Sequence, residues 1–378
     1  MDKKKICFIT AVPSTATVFL GPQMAALSES FSVHYISNAP DRSQVTVACD
    51  EFYNVEIERG ISIVKDLKAL FKLYRRFKSQ KYDCVHSVTP KAGLLTALAG
   101  WMAAVPVRIH IFTGQVWACK TGFMRWLLKS LDKLIARLDT NILADGEGQR
   151  QFLIKNGVVS EQKSKVLGHG SICGVDLNKF SPSEQVRGSI RSELEIPDSK
   201  TVFVYLGRLN RDKGLYELLA AFDTIAGESD NVYLLLVGED EENVASHFPE
   251  YKNIRPGENF CYYGFATEPQ KLFQAGDVFV LPTYREGFGT SVIEASALAL
   301  PVICSDAYGV MDAMTDNVTG LRCKVGDAGS LHRAMAAFIE HPEWIKTMGA
   351  NGRQRVIEDF DSKYVTRLWV DYYVQTLL

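Results

Sequence analysis

The chain has 378 residues, 47% of them hydrophobic, and a formal net charge of −2. That length exceeds one ordinary core, so two domains of about 180 residues each are expected; the near-neutral balance gives no global reason for a nucleic-acid partner. Eight cysteines without a CxxC pair read as reduced core residues, and no apolar run approaches the ~18 residues of a membrane span, so a soluble or peripheral protein without a leader is expected.

In chain order, strand-like and helical runs alternate. Lys5 to Thr10, Val33 to Ser37, Cys84 to Val88, Val107 to Phe112 and Asn141 to Ala144 read as strands, with Lys165 to Leu167 as the last of the first half. Between them, Pro22 to Ser30, Ser62 to Ser79, Ala92 to Ala104, Gly122 to Leu138 and Gln149 to Asn156 read as helices, so the pattern predicts parallel α/β layering. The rhythm breaks in the polar, proline-bearing stretch Ser181 to Lys200, read as a domain boundary. A second half then repeats it: strand Thr201 to Leu206, helix Tyr216 to Ile225, strands Val232 to Val237 and Phe260 to Tyr263, helix Pro269 to Gln274. The expected division is 1–183, 184–361, and a terminal helix over 362–378 that packs across the domain junction. No repeats or low-complexity tracts interrupt the alternation.

The segment from Asp277 to Asp306 carries the strongest chemical signal. A short buried strand leads into the glycine-bearing turn Pro282 to Gly289, a helix from Ser291 to Leu298, and a further strand from Val302 to Ser305. Free N–H groups at that helix start favour an anionic phosphate, while Gly287 and Gly289 permit close backbone approach. Glu286 and Glu294 flank the turn, and paired hydroxyls of a sugar or ribose suit such carboxylates. In the same half, Gly207-Arg-Leu-Asn-Arg-Asp-Lys-Gly214 follows the first strand, where ligands of doubly wound sheets bind. Arg208 and Lys213 read either as a diphosphate clamp or as ordinary surface cations, and their company with Glu286 favours the clamp. Gly238, ending the next strand, would let a nucleotide approach, and Tyr263-Gly264-Phe265 ends a strand in the same way or is a mere turn. The acids from Glu239 to Glu242 read as a solvated run rather than a metal site.

In the first half, Lys91 lies near the start of a helix, a poor place for a cation unless an anion also binds there. His86 reads as a core histidine satisfied by backbone, and His110 could face either way. Thr113, Gly114 and Gln115 end a strand in a loop expected to face a cleft. Basic residues gather on two helices, Lys65, Lys68, Lys72, Arg75, Arg76, Lys78 and Lys81 on one, Lys120, Arg125, Lys129, Lys133 and Arg137 on or near the other. They interleave with Leu70, Phe71, Leu73, Phe77, Trp117, Phe123, Met124, Trp126 and Leu127. Such faces suit an anionic membrane surface, or a solvated face over a buried stripe.

Together these residues resemble family 4 of the retaining glycosyltransferases, of GT-B architecture with two Rossmann-like parallel-sheet domains facing a central cleft. The resemblance rests on GRLNRDKG, EGFGTSVIEA, ALPVICSD and NVTGL in the second half. In the first half, HSVTPKAG and GSICGVDLNKF look like bacterial members that build O-antigen or capsule on a polyprenyl diphosphate carrier. It implies an N-terminal acceptor-binding, membrane-facing domain and a C-terminal donor domain. Arg208, Lys213 and Glu286 would be catalytic, the two cations on the donor diphosphate and Glu286 on sugar hydroxyls. Glu294 would hold the ribose. Gly207, Gly238, Phe265, Gly287, Phe288, Gly289, Thr290 and Ser291 would line the donor; Gly21, Lys91, Thr113 and Gly114 would lie on the acceptor side. Thr113 stands where many relatives carry histidine, and of the usual N-terminal glycine pair only Gly21 remains.

The implied reaction moves a sugar, with retention, from a UDP-hexose or UDP-N-acetylhexosamine to a polyprenyl-diphosphate-linked saccharide on the inner face of the cytoplasmic membrane. It needs no metal or cofactor. The alternatives are a sugar-nucleotide epimerase or hydrolase of the same fold and a non-catalytic sugar-nucleotide-binding protein. A nicotinamide oxidoreductase is disfavoured because no GxGxxG follows the first strand.

Overall fold

A computed structural model describes residues 3–58, 60 and 62–378. The chain divides into two compact units, residues 1–174 with 362–378, and residues 175–361.

The first unit is a seven-stranded sheet. Its strands are β1 (Lys5–Ile9), β2 (Ser32–Ser37), β3 (Glu51–Asn54), β4 (Cys84–Val88), β5 (Val107–Phe112), β6 (Asn141–Ala144) and β7 (Ser164–Lys165), in the order β3-β2-β1-β4-β5-β6-β7. All pairs are parallel, with β1 between β2 and β4. The direction of winding therefore reverses between β1 and β4, which opens a crevice at their carboxyl ends. The connecting helices are α1 (Pro13–Phe19), α2 (Gly21–Leu27), α3 (Ile63–Gln80), α4 (Pro90–Met102), α5 (Gly122–Leu138) and α6 (Glu147–Lys155). Helix α3 shows how they are built: Ala69, Leu73 and Phe77, four apart, are its buried stripe.

The second unit is a six-stranded, all-parallel sheet. Its strands β8 (Thr201–Leu206), β9 (Val232–Val237), β10 (Phe260–Gly264), β11 (Val278–Leu281), β12 (Val302–Ser305) and β13 (Gly320–Cys323) run in the order β10-β9-β8-β11-β12-β13. Its helices are α7 (Glu184–Glu193), α8 (Leu215–Glu228), α9 (Pro269–Phe273), α10 (Thr290–Ala297), α11 (Ala328–Glu340) and α12 (Glu343–Asp359). The wholly buried run VYLLLV of β9 is what a strand covered by helices on both faces requires. Here the winding reverses between β8 and β11.

The unit boundary differs from the expected one. It falls at Gly174, because Val175 and Phe180 pack into the second core and the Val175 N–H donates to the Phe360 carbonyl at 2.8 Å. The stretch read as a broken linker holds α7, capped by Ser183, whose side chain accepts from Val186 N–H at 3.3 Å. Charge fastens that polar helix: Arg187 and Arg191 both donate to Asp277, at 2.5 and 2.7 Å, and Asp277 also accepts from Val202 N–H. The C-terminal helix (Ser362–Leu377) belongs to the first unit. Val365, Trp369, Tyr372, Tyr373 and Leu377 join that unit's core, and the Trp369 indole donates to the Ile172 carbonyl. The sequence reading passed over α1, β3, β13, α11 and α12.

Candidate active site

The two chemical loops of the second half follow neighbouring strands at the reversal. Gly207–Gly214 leaves β8 and Pro282–Gly289 leaves β11, and the strands are in register with Val278 opposite Phe203. The loops are locked together. Lys213 Nζ donates to Glu286 Oε1, and both side chains are largely buried. Thr283 Oγ1 donates to the Asp212 carbonyl at 3.1 Å, Tyr284 N–H to the same oxygen at 2.8 Å, and Arg285 pairs with the Asp212 carboxylate at 2.9 Å. Gly214 has a φ of 73°, and a β-carbon there would lie 2.0 Å from the Pro282 carbonyl, so the loops approach closer than any side chain allows.

Arg208 is held separately. Its Nη1 donates to both Glu241 oxygens at 2.9 Å, and Asn210 donates to Glu241 Oε2 at 2.8 Å. Asn210 Oδ1 in turn accepts from Lys213 N–H at 3.2 Å, so Glu241 indirectly steadies the whole loop. The acidic run after β9 thus does structural work: Asp240 accepts from Val244 and Ala245 N–H, and Glu242 accepts from Arg211 N–H. Sequence reasoning missed Glu241, Asp212 and Arg285 as parts of this site. The visible signal was the excess of cations in RLNRDK and the run of acids in EDEE, with one charge of each sign in YRE, without the pairing that a fold supplies.

The Tyr205 hydroxyl donates to the Arg208 carbonyl at 2.8 Å, and it is held well above its usual range by burial and then by the Glu286 charge. Glu286 and Arg208 therefore share one neighbourhood. At the ends of β8 and β9, Gly207 and Gly238 run backbone to backbone: Gly238 has a φ of 146°, and a β-carbon on it would lie 1.8 Å from the Gly207 carbonyl. Phe265, just beyond β10, is exposed. Helix α10 starts at Thr290 with Gly289 at its cap and no side chain capping it. Thr290 and Ser291 occupy its first turn, half-buried. Phe288, expected to line the donor, instead has a buried side chain against Phe360, with ring centres 5.3 Å apart, because the loop needs an apolar anchor; only its backbone can face a ligand. Glu294 lies one turn into α10. Burial pushes its carboxyl up to about 7, against the opposing charge of Lys179.

Of the residues expected in the first unit, Lys91 follows β4, Thr113 and Gly114 follow β5, and Gly21 lies apart, between α1 and β2. Lys91, near the start of α4, already has an anion: it pairs with Asp66 Oδ1 at 2.6 Å and donates to the Gly60 carbonyl. Thr113 and the left-handed Gly114 follow β5. Gly21 opens α2, where a β-carbon would meet nothing closer than 3.9 Å, so space alone does not demand glycine. His110 faces inward, with Nδ1 at 2.9 Å from the Ser87 hydroxyl. His86 is also buried, and its Nδ1 meets the Tyr373 hydroxyl at 2.5 Å rather than backbone. Burial lowers both imidazoles to about 3, so both are neutral at physiological pH. The apolar residues of the basic helices divide between core and surface, with Leu70 and Leu127 half-buried. Leu73, Phe77 and Trp117 are core, the last with its indole donating to Asp132 at 2.7 Å; Phe71, Phe123, Met124 and Trp126 are exposed.

Comparison with known proteins agrees with this geometry. Residues 186–355 match the family described as glycosyl transferases group 1, and residues 15–168 match the glycosyl transferase 4-like domain. The chain belongs to these glycosyltransferases, and its two parallel-sheet units are of the GT-B class. It is 29% identical to the capsular polysaccharide biosynthesis glycosyltransferase CapM of Staphylococcus aureus, over 97% of this chain and 95% of that protein. It is 26% identical to the UDP-Gal:alpha-D-GlcNAc-diphosphoundecaprenol alpha-1,3-galactosyltransferase of Escherichia coli, over 88% and 86% of the two chains. Among solved structures, sucrose-phosphate synthase from Thermosynechococcus elongatus superposes with a TM-score of 0.81 at 21% identity, covering 99% of each chain.

Proposed function

We propose that the chain is a retaining glycosyltransferase that moves a hexose or N-acetylhexosamine from a UDP-linked donor to a polyprenyl-diphosphate-linked saccharide, in the assembly of a bacterial surface polysaccharide. The observation that carries this reading is the Lys213–Glu286 pair, which joins the loops of β8 and β11 beside the uncapped start of α10. Lys213 has three N–H donors, so it can keep Glu286 and still reach a phosphate oxygen. Arg208 supplies the second cation, and the α10 N–H groups complete the cradle.

The C1–O bond to the diphosphate breaks as the acceptor hydroxyl forms a new bond to C1 on the same face. Lys213 and Arg208 take up the negative charge that develops on the departing diphosphate, the work a metal ion does at other sites, so the reaction is metal-independent. A phosphate oxygen of the leaving group receives the acceptor proton. Glu286 accepts sugar hydroxyls, and Glu294, as carboxylate, accepts those of the ribose. His86 and His110 take no part, since both are buried, neutral and already bonded. The E. coli relative acts on a diphosphoundecaprenol-linked sugar, which supports a lipid-linked acceptor and work at the inner face of the cytoplasmic membrane. Among the described residues no helix is long and apolar enough to cross a membrane, so contact with the bilayer is peripheral in this reading.

The test is incubation with UDP-hexoses and UDP-N-acetylhexosamines, with and without a polyprenyl-diphosphate-linked saccharide, in the presence of chelator. An acceptor-dependent glycolipid whose new linkage keeps the donor's anomeric configuration is expected. UDP release that ignores acceptor, with no glycolipid, overturns the reading in favour of a hydrolase.

A further inference from the structure

We infer that the first turns of α3 and α5 form a two-pronged apolar wedge that enters an anionic bilayer, seating the carboxyl edge of the first sheet at headgroup level; the inference deepens the lipid-linked acceptor reading and rests on it. Each of α3, α4 and α5 follows a strand of one parallel sheet, so all three start at the same edge. Helix α4 packs against both α3 and α5. The starts of α3 and α5 therefore flank the start of α4, where Lys91 lies.

Both flanking starts expose large apolar side chains that belong to no core. On α3, Ile63, Leu67 and Phe71 are 74%, 60% and 58% exposed, apart from the stripe of Ala69, Leu73 and Phe77 that faces the sheet. On α5, Phe123 and Trp126 are 70% and 63% exposed and stack on each other with ring centres 5.6 Å apart. Scattered exposed apolar residues need no explanation, but paired clusters at one edge of a sheet do.

The charges around them select the partner. Lys68, Lys72 and Arg75 are exposed on α3, Arg75 with its guanidinium 5.7 Å from the centre of the Phe71 ring, and Lys120 is exposed just before α5. The nearby acids are already occupied: Asp66 by Lys91, and Glu56 and Glu58 by Lys65. Apolar tips within a cationic rim fit anionic headgroups over hydrocarbon. A second copy would bring like charges together. Trp101 and Met102 are exposed as well, but at the far end of α4, on the opposite edge of the sheet, and do not enter.

Sedimentation with phosphatidylglycerol–phosphatidylcholine vesicles tests this on the full chain. The doubles L67S/F71S and F123S/W126S are each expected to weaken binding at least tenfold, W101S to leave it unchanged, and raised salt to weaken the wild type. All variants should keep wild-type melting and wild-type turnover of a short-chain, detergent-free acceptor. Unchanged vesicle binding by both doubles overturns the wedge, as does equal loss in W101S. A wild-type dimer in analytical ultracentrifugation that both doubles dissociate overturns it too, by making the patch a self-interface. Vesicle binding that depends on the wedge, in a protein that glycosylates no lipid-linked acceptor, would leave the wedge standing and defeat the transferase reading alone.

Discussion

Lys213 and Glu286 are 73 residues apart in sequence, yet their side chains form one ion pair because β8 and β11 are neighbours in the sheet. The pair brings the catalytic candidates of two separate motifs to one place. It also leaves Lys213 with donors to spare, since an ammonium group has three.

Replacing Lys213 with alanine should lower kcat by roughly a hundredfold or more, the usual cost of removing one charge-stabilising donor from a transition state. Lys213→Arg should recover part of the loss. Steady-state rates on donor and acceptor would check both, and a kcat within a few-fold of wild type in Lys213→Ala would remove the residue from the mechanism.

Arg208 pairs with Glu241 at the surface, its side chain 53% exposed, so the pair contributes no more than about 1 kcal/mol to stability. Arg208→Ala should therefore melt within a few degrees of wild type while the donor KM rises about tenfold to a hundredfold, as expected when one charge-assisted bond to phosphate is lost. A large fall in melting temperature with unchanged donor KM would mark Arg208 as purely structural.

Glu294 gives a pH dependence whose sign can be worked out. Burial raises its folded carboxyl to about 7 from an ordinary 4.5, so its contribution to stability is full below about pH 4.5 and lost as pH rises through about 7. Ribose hydroxyls need the carboxylate, so UDP affinity should rise severalfold between pH 6 and pH 8. Glu294→Gln should bind more weakly and lose that part of the pH slope while keeping the nucleotide's own phosphate titration. Calorimetric titration of both proteins across this range decides it, and parallel slopes would sink the assignment.

The C-terminal helix is fastened to β4 by the bond between Tyr373 and His86 Nδ1, within a stack that includes Phe8 and Trp369. Tyr373→Phe should cost about 1–2 kcal/mol, the loss of a buried hydrogen bond that leaves a polar nitrogen unpaired. Burial holds the imidazole near 3, so its neutral form contributes stability above about pH 6.5 that is lost as pH falls toward 3. Truncation after Asp361 strips Trp369, Tyr372 and Tyr373 from the first core and should abolish its cooperative melting; a truncated chain that melts like wild type would contradict this.

The sequence by itself determined the alternation of strands and helices, the donor loops, and the residue types in them. Each of these is local: a run such as VYLLLV, a glycine turn, or a cation following a strand end is legible without knowing what lies opposite. Tertiary structure alone decided the partners. Lys91 reads as an unpaired cation until the fold brings Asp66 to it, and Glu241 reads as one acid among several until the ends of β8 and β9 place it against Arg208. The polar stretch holding α7 reads as a linker, because only the fold shows that Asp277 pairs with both Arg187 and Arg191. Trp117 and Trp126 lie in one basic, aromatic stretch, yet one is core and the other exposed. Hydrophobic pattern fixes which elements form, whereas charge pairing and aromatic exposure depend on neighbours distant in sequence, and only strand order supplies those.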